Sequence, residues 1–145
     1  MAYNRHQNRQ RQPLTTVTDP DLVTIVKGDP VDSAKLIDSY ANKIGSELSS
    51  ELKAAQIRNI FGKVRQIERS WALQSDDAEQ ARSALRDLIL LKSKLRYQAE
   101  RNEEVKGLAA LLSRGIDLVE TREQFQYFVD FFEAILAYHK AAGGK

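Results

Sequence analysis

Arg58, Arg65 and Arg69 stand at spacings that place them within about 40° of one another on a helix stepping about 100° per residue. A straight row of arginines suits a phosphate backbone. Each guanidinium keeps its charge at any ordinary pH and can grip a phosphate through two N–H groups. Arg58 and Arg65 would stand about 10 Å apart along the axis at about 1.5 Å per residue, one to two nucleotide steps. The same stretch holds Lys53 and Lys63, against Glu51 and Glu68. Contacts of this kind give affinity and salt dependence rather than sequence reading.

A second basic run is Lys92-Ser93-Lys94-Leu95-Arg96-Tyr97, followed by Arg101, with no acid before Glu100. Tyr97 either packs between helices, the commoner use of an aromatic on a half-buried helix, or stacks on a base. For both runs the competing reading is a solvated face. Gly62, inside the first run, costs about 1 kcal/mol relative to Ala and leaves room for another helix or a nucleic-acid strand.

Groups for catalysis are missing from the pattern. The chain has no cysteine, so thiol nucleophiles, disulfides and thiolate metal sites are excluded. His6 and His139 make no metal-ligand spacing, and no phosphate-cradling glycine loop occurs. Asp76-Asp77 is a carboxylate pair, but a helix start accounts for it through the helix dipole. His139 falls in the last turn of a helix, where a cation is favoured; structural use is expected there ahead of RNA contact. We expect no enzyme, no cofactor and no metal.

The elements that must hold these residues read as helices throughout. Leu, Ala, Glu, Lys, Arg and Gln dominate, with 7 Gly and 3 Pro in 145 residues. Residues 1–18 read as a disordered basic arm carrying Arg5, Arg9 and Arg11. Residues 19–145 read as one all-α domain, a compact bundle of about five helices. Pro20 and Gly28-Asp29-Pro30 punctuate the start as turns, with Val23, Ile25 and Val26 pinned inward. A first helix is expected over about 32–48, with Leu36, Ile37, Tyr40 and Ile44 inward. A second, over about 51–72, is capped by Ser50 and turns Ile57, Phe61, Val64, Ile67 and Trp71 inward. The third opens on an Asp76/Glu79 capping box and runs to about 101 around Leu85, Leu88, Leu91 and Leu95. The fourth covers about 104–119, with Leu108, Leu111, Leu112 and Ile116 inward. The fifth follows Thr121, whose partner at the capping-box position is Gln124, carries Phe125, Phe128, Phe132, Ile135 and Leu136, and frays over 141–144. Short connections predict antiparallel neighbours. Tyr127, Phe131 and Tyr138 lie off the fifth helix's main stripe and are expected to form a protein-contact face.

Composition sets the bounds. A 42% hydrophobic content can fill a core, and the net charge of +2 gives no basic surplus, so nucleic-acid binding must rest on where charges sit. No apolar run is long enough to cross a membrane, and the first residues carry no signal-peptide core. A cytoplasmic location, without membrane contact, is expected.

Three segments carry a resemblance. Gln56-Ile57-Arg58 leads into Phe61-Gly62-Lys63-Val64; Leu91-Lys92-Ser93-Lys94-Leu95-Arg96-Tyr97 is followed by Ala99 and Arg101; Phe125 leads to Phe132-Glu133-Ala134-Ile135-Leu136-Ala137-Tyr138-His139-Lys140. In this order, over about 50–140, the chain resembles the small subunit of type III-A CRISPR effector complexes, the Csm complexes. The resemblance implies a non-catalytic helical subunit in several copies, lined up beside the backbone subunits and holding CRISPR RNA and the target RNA paired to it in antiviral defence. Target cleavage would belong to the backbone subunit, and nuclease and cyclase activities to the large subunit. Implied partners are those two subunits, both RNAs and further copies of this chain. Carried onto this sequence, Arg58, Lys63, Arg65 and Arg69 are the first RNA-phosphate candidates, then Lys92, Lys94, Arg96 and Arg101. The alternative is a helical adaptor that binds protein through Phe125–Tyr138 without touching RNA.

Overall fold

The computed structural model describes residues 14–73 and 78–145. Among these the chain is all-helical: α1 Asp19–Lys27, α2 Pro30–Leu48, α3 Ala54–Leu73, α4 Ala78–Arg101, a 3-10 turn Glu103–Val105, α5 Lys106–Ile116 and α6 Arg122–Ala141. Residues 1–13, with Arg5, His6, Arg9 and Arg11, lie outside the described residues, as does Asp76 of the expected capping box.

The segment expected to be turn-punctuated is α1. Pro20 starts that helix instead of breaking it, because a proline in the first turn gives up an N–H with no helical partner anyway. Thr18 caps it by accepting from the Asp21 N–H at 3.3 Å. Ile25 and Val26 are buried as expected, but Val23 points outward, 41% exposed. The same device starts α2: Asp29 accepts from the Val31 and Asp32 N–H groups at 3.0 and 3.1 Å, ahead of Pro30.

Residues 14–18, assigned to the arm by sequence, lie against the helices. Thr15 donates from its backbone N–H to Glu47 at 2.8 Å, Val17 is buried, and Arg114 reaches the Val17 carbonyl at 2.8 Å. Ser50 is not the α3 cap. Residues 49–53 turn on the Leu48 carbonyl, which accepts from the Leu52 N–H at 2.9 Å, and the Gln56 side chain accepts from the Lys53 N–H at 3.0 Å.

Side-chain pairs fix the packing. Asp21 with Tyr40 and Ile25 with Ser33 set α1 antiparallel to α2. Lys92 reaches Asp117, just past α5, and with the short connection at 102–105 this sets α4 antiparallel to α5. Phe61 on Phe132, with ring centres 4.6 Å apart, and Trp71 on Phe125, 5.4 Å apart, set α3 antiparallel to α6. The expectation that chain neighbours pair throughout fails at α2, whose most extensive packing is on α6. There Gly45 lets two backbones meet: a Cβ on it would sit 2.7 Å from the Ile135 oxygen and 2.8 Å from the His139 nitrogen.

Helix α6 therefore buries two flanks. Phe125 and Phe132 pack toward α3. By its roughly 100° step, Tyr127, Phe131 and Tyr138 share a second flank, and Tyr138 lies over Gly45 and donates to Asp38 of α2. Phe131 is 3% exposed, while Tyr127 and Tyr138 are half-buried. The face expected to serve a partner is thus covered largely from within the chain. The α6 end is closed, not frayed: Gly143 has φ +92°, and the Gly144 N–H bonds the His139 carbonyl at 2.8 Å. His139 is fully buried, with Nε2 donating to the Leu52 carbonyl at 2.6 Å, so its use is structural.

Candidate nucleic-acid interface

The apolar stripe of α3 is buried as its spacing requires: Ile57, Ile60, Phe61, Val64, Ile67 and Trp71 all face the core. That burial fixes where the cations go. Arg58, Arg65 and Arg69 fall on the flank beside α6, about 80–120° from Ile57, and Lys63 on the opposite flank beside α4. The sequence expectation treated these four as one group; the fold divides them.

Arg65 is tied down. It donates to Glu68 at 2.7 Å and to Glu133 of α6, and its guanidinium lies 4.7 Å above the Phe61 ring. The Glu68 hydrogen bond, with the Glu133 charge, raises its pKa further against the opposing effect of desolvation. This arginine closes the α3–α6 contact. Arg58 and Arg69, exposed on either side of it, have no acid partner among the described residues.

Lys63 has a different setting. It lines a depression between α3 and α4 with Asn59, Ile60, Leu91, Lys94, Leu95 and Gln98. The depression continues past Gln66, Ile67, Ser70, Leu90 and Ser93 to Asp87. Lys63 and Lys94 come from two helices to one groove, and neither has an acid partner among the described residues. The amides beside them were not singled out from sequence. Asn59, Lys63, Gln66 and Ser70 do recur at i, i+4, i+7 and i+11, a polar stripe on one face of α3 that was readable.

The other α4 cations divide too. Lys92 is bonded to Asp117 at 2.6 Å and Arg96 to Glu100 at 3.1 Å. Arg101 donates to the Tyr97 hydroxyl at 2.9 Å and lies 5.6 Å from its ring centre. Tyr97 is 60% exposed, so it does not pack between helices of this chain. Lys94 and Arg101 thus face the groove and the outer surface, while Lys92 and Arg96 belong to the α5 side. Gly62 is exposed, and a Cβ added to it would meet nothing within 4 Å, so no helix among the described residues uses the space it leaves.

Open grooves lined chiefly by ammonium, amide and hydroxyl groups, with Asp87 at one end, suit phosphate and sugar oxygens. Among the described residues no group of three or more His, Asp or Glu side chains could hold a metal ion, and no helix is long and apolar enough to cross a membrane. Among the described residues the chain is an all-helical bundle with a cationic interhelical groove. The family profile described as Csm2 Type III-A matches residues 31–145. The chain belongs to that family, the small subunit of the type III-A CRISPR Csm complex. No curated protein and no solved structure matches it.

Proposed function

We propose that this chain is a non-catalytic RNA-holding subunit of its Csm complex, with the α3–α4 groove as the phosphate-binding surface. The observation that carries the reading is the convergence of Lys63 and Lys94, from separate helices, on one groove without acid partners among the described residues. Arg101 adds positive charge on the outer surface of α4, and Arg58 and Arg69 form a separate positive flank of α3 beside α6. Arg65, Lys92 and Arg96 hold the fold first, since each already bonds a carboxylate. The ligands are CRISPR RNA and the target RNA paired to it, bound through backbone oxygens and so without sequence preference. Several copies act together beside the backbone and large subunits in the cytoplasm. Contacts that are weak singly become strong in such an array through effective concentration.

The test is a pull-down of the tagged chain from its native host, with sequencing of the RNA that accompanies it. Short guides sharing a repeat-derived 5′ end, together with larger Csm subunits, are the expected recovery. Lys63→Glu/Lys94→Glu should keep the helical content of the chain and lose RNA. Recovery of protein partners with no RNA would replace this reading with that of a protein-only adaptor.

A further inference from the structure

The sequence ahead of the helices holds groups that the proposed function leaves unused. Arg5, Arg9 and Arg11 stand among asparagines and glutamines, with Tyr3 and His6, and no acid occurs before Asp19. The fixed cations of this run are all arginines, the side chain that grips a phosphate through two N–H groups. Between Ala2 and Pro13 there is no aliphatic side chain, so the run offers little to bury against a protein. Arginines, amides and a ring are instead the groups that reach phosphate, ribose hydroxyl and base.

The structure fixes where this run is rooted. Residues 14–18 form a strap laid between α2 and α5. Thr15 donates its backbone N–H and its hydroxyl to the Glu47 carboxylate, at 2.8 and 2.5 Å. Val17 is 1% exposed, and Arg114 of α5 holds the Val17 carbonyl at 2.8 Å and Asp19 at 2.6 Å. Leu14 lies over Gly107, where an added Cβ would sit 3.0 Å from it. Gly107 is in the first turn of α5, and Gln56, in the first turn of α3, reaches Glu104 at 3.3 Å. Helix α4 ends at Arg101, so the strap starts where α3 begins and α4 ends. That is the Asn59–Gln98 end of the cationic groove. A chain spans at most about 3.3 Å per residue, which keeps Arg11, Arg9 and Arg5 within about 10, 17 and 30 Å of Leu14. The groove from Asn59 to Ser70 runs about 16 Å at about 1.5 Å per residue, a length of the same order as that reach.

We propose that Arg5, Arg9 and Arg11 bind phosphates of the RNA held by this chain, on an arm rooted by the strap at the Asn59–Gln98 end of the groove. The tether keeps the arginines at high effective concentration beside a bound strand. Two acids near the root, Glu47 and Glu104, already accept from Thr15 and Gln56. The arm rests on the reading of the chain as an RNA-holding subunit, but not on the assignment of the groove. The family match starts at residue 31, so the arm and its strap lie outside the matched region.

The salt dependence of RNA retention by the assembled Csm complex tests it, with Arg5→Gln/Arg9→Gln/Arg11→Gln set beside Lys63→Glu/Lys94→Glu. The arm variant should keep the wild-type melting temperature, because the strap is intact. Its log–log salt slope should be shallower by about 2 for each copy in contact. Trypsin gives a second reading: cleavage after Arg5, Arg9 and Arg11 should be slow in the intact complex and fast once ribonuclease has removed the RNA. A wild-type slope for the arm variant beside a shallow one for the lysine variant would overturn the arm and leave the groove. A shallow slope for the arm variant alone would keep the arm and remove the groove. Wild-type slopes for both would overturn both. Protection from trypsin that survives ribonuclease would give the arm to a protein surface and overturn the proposal.

Discussion

The α2–α6 seam and the outer α3–α4 surface are built from the same residue types put to opposite uses. In the seam, Gly45 brings two backbones together, and Tyr138 is bonded to Asp38. On the outer surface, Gly62 has no neighbour among the described residues within 4 Å of an added Cβ, and Tyr97 stands 60% exposed. Along α3 itself, Arg65 is locked by two carboxylates toward α6, while Lys63, two positions away, faces the groove with none among the described residues. Residue type therefore does not decide the role. The neighbour across the helix contact does.

Four sets of substitutions probe this contrast. Gly45→Ala forces a Cβ to 2.7 Å from a backbone oxygen and should cost about 1–3 kcal/mol, read as a lowered denaturant midpoint. Lys63→Glu/Lys94→Glu should cost about tenfold or more in RNA retention with an unchanged melting temperature; a large loss of stability would place these lysines in the fold instead. Arg65→Met should reverse that pattern, losing about 1 kcal/mol of stability, as expected for half-exposed ion pairs, with a smaller change in RNA retention. Gly62→Ala should add up to about 1 kcal/mol of stability, because the helix gains and nothing clashes; a fall in RNA retention would show that a strand approaches there.

The smallest effect is on alkaline stability. Hydrogen bonds to Asp38 and Asp21 raise the pKa of Tyr138 and Tyr40 above their ordinary value near 10. A raised acidic group stabilises the fold fully below its unfolded pKa, and that contribution is lost as pH climbs through the folded value. Thermal stability should therefore fall above about pH 10, and Tyr40→Phe/Tyr138→Phe should flatten that fall.

What the sequence made legible was the periodicity. The inward stripes of α3, α4 and α5 are buried where a 3.6-residue repeat puts them, with Leu85 of α4 only partly so, and Thr121 with Gln124 caps α6 as its spacing indicates. Helix α1 was hidden because a proline reads as a breaker unless its place in the first turn is known. The identity of the groove was hidden for a different reason. Arg65 and Glu133 are 68 residues apart, and no local pattern links them. The aromatic flank of α6 misled because its cover, α2, lies about ninety residues earlier in the chain and is not its sequence neighbour.

The most direct measurement is the salt dependence of RNA retention by the assembled Csm complex carrying wild-type, Lys63→Glu/Lys94→Glu or Arg65→Met chains. If the groove holds the phosphates, the lysine variant has a shallower log–log salt slope, by about 1–2 for each copy in contact, and Arg65→Met keeps the wild-type slope. A wild-type slope for the lysine variant with a shallow one for Arg65→Met would refute the groove assignment, and would move the RNA contact to the arginine flank.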